Sequence, residues 1–245
     1  METVSAAEVV CSLAGAPSAW VATDADGTLW EGDVGEDWLS AVEEGVARLD
    51  EIHVRAVARS MGLGDLEHPR DVVRLARNAF MLGSLDETTY FSLVALTLGK
   101  LPEPVARAAV REALASRSLE RRLIGETMTV LAGARASAHR IVVVSASPRL
   151  VVEEAIALVG LEVDQVIGLE LTEDAMHTRT PRPYGSGKAV LLDELRGTSP
   201  VHAALGDSPF DAPMLARSRT PLAVRPKSTL ASLAPEVPGL RLLIA

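Results

Sequence analysis

The run Trp20-Val21-Ala22-Thr23-Asp24-Ala25-Asp26-Gly27-Thr28-Leu29 changes character in mid-course. Its first part is short and apolar, as a buried strand is, and it stops abruptly on Asp24-Ala25-Asp26-Gly27. The same grammar recurs. Ile141-Val142-Val143-Val144 is β-branched throughout and is stopped by Ser145. Further strands are predicted over Gln165 to Leu171, over Val201 to Leu205 ending on Gly206-Asp207, and over Leu222-Ala223-Val224. Short apolar runs separated by helical patterns point to buried parallel strands in an α/β sheet.

Helices fit between them. Ser147-Pro148 predicts a start, with serine at the N-cap and proline at the first helical position. That helix runs through Val151, Val152, Ala155 and Leu158 to Gly160. Lys188 opens another, with Val190, Leu191, Leu192 and Leu195 expected inward and Gly197 closing it. Ser208-Pro209 repeats the start signal, but Pro213 follows so soon that the helix begins irregularly. The patch Val9 to Ala16 reads as a helix packed on the domain. Between residues 34 and 136 no strand is predicted, and apolar residues recur at helical spacing, as in Trp38, Leu39, Val42 and Val46 and in Val72, Leu75, Ala76, Ala79 and Phe80. The expected organisation is an α/β domain made of residues 1–33 and 137–245, with an all-helical domain, 34–136, inserted after its first strand. Trp38, Phe80, Tyr90 and Phe91 are expected in the core of the insert.

Composition narrows the class. The chain has 245 residues, 48% of them hydrophobic and 23% charged, which excludes bulk disorder and leaves room for a sizeable core. The single cysteine, Cys11, excludes an intrachain disulfide framework and a cysteine-rich zinc site, and it is expected as a small buried hydrophobe. His53, His68, His139, His177 and His202 lack metal-ligand spacing. With 33 acids against 24 bases the net charge is −9, so a nucleic-acid partner is not expected. No apolar run approaches the roughly 20 residues that span a bilayer, and no basic segment precedes Val9, so the expectation is a cytoplasmic protein without a membrane partner.

The strand ends carry the chemistry. In a parallel sheet Asp24 and Asp26, Ser145, and Asp207 with Asp211 share the carboxyl edge, where open α/β sheets bind ligands, and the helix start at Lys188 joins them. Carboxylates crowded in a cleft need a cation or must take up protons. Oxygen donors without cysteine or paired histidine favour a hard cation, most simply magnesium, which completes its shell with water and phosphate oxygens. The helix start after Ser147 and the Lys188 charge favour an anion beside it. Gly185-Ser186-Gly187-Lys188 is not a nucleotide-binding loop, because Arg182 occupies the first glycine position and Ala189 replaces the serine or threonine. Arg149, Arg179 and Arg182 are expected in surface ion pairs. Glu31, Asp33 and Glu36 have two readings, a face toward a cationic substrate or a solvated hinge.

Asp24-Ala25-Asp26-Gly27-Thr28-Leu29 resembles the first signature of the haloacid dehalogenase (HAD) superfamily, D-x-D-G-T. Val144-Ser145 resembles its second, Lys188 its third, and Gly206-Asp207-Ser208-Pro209-Phe210-Asp211 its fourth, in the family's order. The helical insert looks like the C1-type cap of the phosphoserine-phosphatase-like branch, and Ala223-Val224-Arg225-Pro226-Lys227 is similar to that branch too. The resemblance implies a HAD-like, Rossmannoid three-layer α/β/α core with a parallel sheet. It implies that Asp24 attacks phosphorus to form an aspartyl-phosphate, that Asp26 is the acid and base, and that Ser145 and Lys188 hold the phosphoryl group. Asp24, Gly27, Thr28, Ser145, Ala146 and Lys188 would surround the phosphate. Asp24, Asp207, Asp211 and the main-chain carbonyl of Asp26 would hold Mg2+, with Asp211 supporting the metal shell or Lys188. Thr23 and Ala146 depart from the commoner residues, Ala146 standing where glycine is frequent. The expected activity is magnesium-dependent hydrolysis of a small phosphorylated metabolite by a monomer or homodimer. A phosphotransferase or mutase on the same core, or a non-catalytic binding domain, are the alternatives.

Overall fold

The computed structural model describes residues 1–245, residue 87 by its backbone alone. Its sheet is built from β1 (Glu2–Ser5), β2 (Trp20–Thr23), β3 (Arg140–Pro148), β4 (Gln165–Leu169), β5 (Val201–Gly206), β6 (Ser218–Val224) and β7 (Arg241–Ile244). The order across it is β1-β7-β6-β5-β2-β3-β4, and every pairing is parallel. β2 lies between β3 and β5, so the chain leaves the centre in both directions. That reversal opens a crevice at the carboxyl end of β2.

The alternation of the strands supplies two cores. Val21, Ile141, Val143, Ala203 and Leu205 enter one, and Trp20, Ala22, Val142, Val144 and Ala204 the other. On the first face pack α1 (Ala6–Ala14), α7 (Gly125–Ala136) and α8 (Arg149–Leu158). On the second pack α9 (Ser186–Arg196), α10 (Ala212–Leu215) and α11 (Ser228–Ser232). The three layers are therefore α/β/α, as the resemblance implied.

Several local expectations shift. Cys11 is exposed, not buried. Ala6, Val9 and Leu13 form the inward face of α1, and position 11 falls on the opposite side of a helix with that phase. Val190 is 43% exposed, leaving Leu192 as the fully buried contact of α9. β3 does not stop at Ser145 but continues to Pro148, which takes the N-cap of α8 in place of Ser147. β1 and β7 pair at one edge of the sheet and were not foreseen.

Between β2 and α7 lie α2 (Val34–Glu43), α3 (Glu51–Ser60), α4 (Asp71–Met81), α5 (Glu87–Leu98) and α6 (Glu103–Ser116). Asp33, Asp50 and Asp86 cap α2, α3 and α5 through their side-chain oxygens. α7 lies before the expected boundary at 136. α7 packs on α1 and β3, so it belongs to the core layer although its periodicity is helical like that of the block before it. Ile124 already donates to the Leu29 carbonyl, at 3.0 Å, which marks the return of the chain.

An ion cluster ties the block to the core. Arg107 and Arg111 on α6 meet Glu154 on α8, whose side chain is buried, and Arg107 also reaches Glu153 at 2.7 Å. α5 meanwhile lies against β3, over the end of the sheet where the acids gather.

Candidate active site

Asp24 continues β2 by donating its N–H to the Leu205 carbonyl at 2.9 Å, which fixes it between β3 and β5. Its carboxylate is buried and takes the Lys188 ammonium on Oδ1 at 2.5 Å. The same ammonium lies 2.6 Å from Asp211 Oδ1. Asp211 accepts three further bonds on Oδ2, from the N–H of Asp207, the N–H of Ser208 and the Ser208 hydroxyl, at 2.9–3.1 Å. It therefore clamps the loop that carries Asp207 while anchoring Lys188.

Two glycines make this approach possible. Gly27 has φ +80, and a Cβ there would collide with the Asp207 carboxylate. A Cβ on Gly206 would stand 2.5 Å from Asp211 Cβ. The peptide N–H of Gly27 is bonded to the Trp30 carbonyl and that of Thr28 to the Ala25 carbonyl. Neither residue is among those lining the cleft. Gly27 makes room for Asp207, and the Thr28 hydroxyl donates to Asp24 Oδ2 at 3.3 Å.

Carboxylate oxygens of Asp24, Asp207 and Asp211 lie within 4.8 Å of one another. Burial and the charge of Asp211 push the Asp24 carboxyl well above its usual range, against the pull of Lys188. Burial also raises Asp207, against its 3.0 Å ion pair with Lys227. Burial would lower the Lys188 ammonium, but Asp211 and Asp24 outweigh it and hold the amine protonated. One buried ammonium thus faces three crowded acids, the condition a hard divalent cation relieves, and the all-oxygen donor set fits magnesium. Both oxygens of Asp211 are engaged, Oδ1 by Lys188 and Oδ2 by the loop that carries Asp207.

Asp26 is held differently. Oδ1 accepts the Trp30 indole N–H and the Val34 peptide N–H, both at 2.9 Å. Oδ2 accepts the Ser147 hydroxyl at 2.7 Å, with the Ser145 hydroxyl 3.5 Å away. Three close donors thus hold the Asp26 carboxylate and leave one direction of Oδ2 without a close partner. Sequence reasoning missed Trp30 and Ser147. The signal for Ser147 was its position two residues beyond Ser145, at the same strand end.

Above this floor is a cleft of about 130 Å³, lined by Asp24, Asp26, Ser145, Ala146, Ser147, Lys188 and Asp207 below. Asp33 and Glu36 from the start of α2, and Phe91 and Val94 from α5, line its roof. Tyr184 and Phe210, stacked 4.1 Å apart, line its rim. Phe91 therefore faces the cleft and is only partly cap core, whereas Trp38 and Tyr90 are buried as expected. Burial beside Asp26 raises the Asp33 carboxyl to about 8. Glu36 receives the Tyr90 hydroxyl at 3.0 Å and Arg77 at 3.4 Å. Glu31 points away and pairs with Arg225. Of the three acids, two face the cleft and one is a surface partner. Arg149 and Arg179 pair with Glu170, and Arg182 donates to the Thr178 hydroxyl.

The comparisons agree with this geometry. The model of the haloacid dehalogenase-like hydrolases matches residues 21–216. No curated protein matches the sequence. A solved protein of unknown function from Bordetella pertussis Tohama I is similar in fold, with 19% identity and a TM-score of 0.67 over 93% of this chain and 99% of that one. A functionally unknown protein from Anaerococcus prevotii DSM 20548 gives 16% and 0.62, covering 92% and 85%. A probable phosphoserine phosphatase from Vibrio cholerae gives 17% and 0.53, covering 93% of this chain and 61% of that one. With the family model spanning every strand that carries a site residue, the chain belongs to the haloacid dehalogenase-like hydrolase family.

Proposed function

We propose that the protein is a magnesium-dependent phosphatase of the cytoplasm that hydrolyses a small phosphate monoester through an aspartyl-phosphate on Asp24. The observation that carries this reading is the buried Lys188 ammonium shared between Asp24 and Asp211 at 2.5 and 2.6 Å, with the Asp207 carboxylate beside them. Lys188 orients Asp24 and offsets part of its charge, so one carboxylate oxygen can approach a phosphate dianion. Magnesium held by Asp24, Asp207 and the Asp26 carbonyl would supply charge neutralisation on the phosphoryl oxygens. Asp24 forms a bond to phosphorus as the ester P–O bond breaks, and Asp26 gives its proton to the departing oxygen. Asp26 then takes a proton from water, the water oxygen bonds to phosphorus, and the Asp24–phosphorus bond breaks to release inorganic phosphate. The Ser145 hydroxyl, at the end of this cleft, is placed to donate to a phosphoryl oxygen.

The roof bears on the leaving group. Asp33 has no basic partner among the described residues, and the aromatic rings of Phe91, Tyr184 and Phe210 line the same cleft. An acid held protonated by burial, beside aromatic rings, favours a cationic group that takes the place of that proton over an anionic one. The cleft volume of about 130 Å³ favours a metabolite over a protein segment. The test is release of inorganic phosphate from p-nitrophenyl phosphate and a panel of metabolite phosphates. Activity is expected with magnesium and is expected to vanish with a chelator. Phosphate passed to an added alcohol instead of water would favour a phosphotransferase.

A further inference from the structure

We propose that Ser147 is a positioning residue, whose hydroxyl turns the Asp26 carboxylate so that one lone pair of Oδ2 faces the leaving-group oxygen. The inference rests on the reading of Asp26 as proton donor and acceptor.

A carboxylate offers about four lone-pair directions. On Asp26, Trp30 and Val34 take both directions of Oδ1, each at 2.9 Å. Ser147 takes one direction of Oδ2 at 2.7 Å. One direction of Oδ2 is left without a close donor, the Ser145 hydroxyl approaching only to 3.5 Å, and Asp26 lines the cleft. That direction is the one available for a proton travelling to or from the substrate. Rotation of the carboxylate would break three hydrogen bonds at once, so the unused direction is fixed before substrate arrives.

The fold shows why Ser147 can do this. β3 runs on to Pro148, and between Val144 and Pro148 its register with β4 shifts, so this irregular stretch brings both the Ser145 and Ser147 hydroxyls toward Asp26 Oδ2. The Ser147 N–H donates to Ser145 Oγ at 3.0 Å, so the same residue orients the second hydroxyl of the site. Ser147 is 8% exposed, and Gly35 at the start of α2 leaves it room, since a Cβ there would stand 3.3 Å from Ser147 Oγ. No other residue donates to Oδ2 at under 3 Å, so replacement by alanine leaves that oxygen only the long 3.5 Å contact with Ser145.

The leaving group separates this role from a structural one. An alkoxide needs a proton as its bond to phosphorus breaks, whereas p-nitrophenolate departs with little help. The kcat/KM value reports the steps through formation of the aspartyl-phosphate, where the leaving group matters. For Ser147→Ala, kcat/KM for a simple alkyl phosphate is expected to fall about a hundredfold, the lower end of what general acid catalysis supplies. For p-nitrophenyl phosphate it is expected to fall about threefold, and inhibition by inorganic phosphate should change less than that. Ser147→Thr keeps the hydroxyl and is expected to restore most of the alkyl-ester rate. Equal losses on the two esters, or no loss on the alkyl ester, would overturn the proposal. Asp26→Asn is measured alongside. If Asp26→Asn is selective for alkyl esters and Ser147→Ala is not, Ser147 does not position the acid and the reading of Asp26 stands. If Asp26→Asn shows no such selectivity, the reading of Asp26 falls and the proposal with it.

Discussion

The floor and the roof of the cleft are held on different terms. On the floor the charged and hydroxyl groups are committed to one another, Lys188 to Asp24 and Asp211, Asp211 to the Asp207 loop, and Asp26 to Trp30, Val34 and Ser147. In the roof, Glu36 is shared with Tyr90 and Arg77, while Asp33 accepts a main-chain bond from Glu36 and meets no cation among the described residues. The floor is a pre-arranged electrostatic device, whose worth lies in needing no reorganisation during reaction. The roof is less filled, since Asp33 faces the cleft without a cationic partner among the described residues. Under the proposed function, reaction type falls to the strand ends and substrate choice to the first turns of the helical block.

Changes on the floor should be costly and indifferent to substrate. Lys188→Met leaves two buried carboxylates without their ammonium. A fall in kcat/KM of about a thousandfold is expected on every ester. Stability should drop by about 3–5 kcal/mol, the cost of breaking one side of a buried ion pair, with magnesium restoring part of it. Steady-state kinetics and thermal unfolding with and without the metal check this. A loss confined to one substrate would mean that Lys188 serves specificity instead. Gly27→Ala places a side chain at φ +80 and against Asp207. About 1–3 kcal/mol of destabilisation is expected. The magnesium concentration for half-maximal activity is expected to rise about tenfold, as happens when the support of a metal ligand is disturbed. An unchanged magnesium requirement would place the ion away from Asp207.

Changes in the roof should be smaller and selective. Asp33→Asn is expected to raise KM about tenfold for a phosphate ester carrying an ammonium group, with a much smaller change for p-nitrophenyl phosphate. Equal changes on both would make Asp33 a structural cap of α2. Its titration gives a second readout. Burial and the neighbouring Asp26 raise its carboxyl from 3.8 to about 8 in the folded protein. The folded state therefore holds a proton that the unfolded state releases, so stability falls as pH rises through that window. Relative to Asp33→Asn, the wild type should lose melting temperature between pH about 4 and about 8, by ~2–4 °C for each ~1 kcal/mol. Parallel melting profiles would show that the carboxyl is solvated and ordinary.

The same division explains what was legible in the sequence. Asp24, Asp26, Ser145, Asp207 and Asp211 could be placed because a buried strand followed by an acid or a serine is a local pattern, and parallel strands put such ends at one edge, while Lys188 was legible as a helix start. Ser147 was read as an N-cap because serine before proline is a general helix start, while the continuation of β3 depends on its pairing with β4. β1 and β7 are four residues each and pair across almost the whole chain, so neither carries a local signal strong enough to announce the other. For α7, periodicity identifies a helix but not the body it packs on. Phe91 shows the limit most clearly. It adjoins Tyr90 in a helical stripe, yet one residue of rotation turns it from the cap interior to the cleft.

The central claim is that Asp24 is the nucleophile, and it is tested most directly by phosphate release with magnesium from wild type and Asp24→Asn side by side. Intact-protein mass at the end of the assay must show that the introduced amide has not reverted by deamidation, and circular dichroism that both proteins are folded. The expected result is a fall in kcat of about 10⁴-fold or more, as removal of a covalent nucleophile produces. An intact, folded Asp24→Asn protein turning over within about tenfold of wild type would contradict the account.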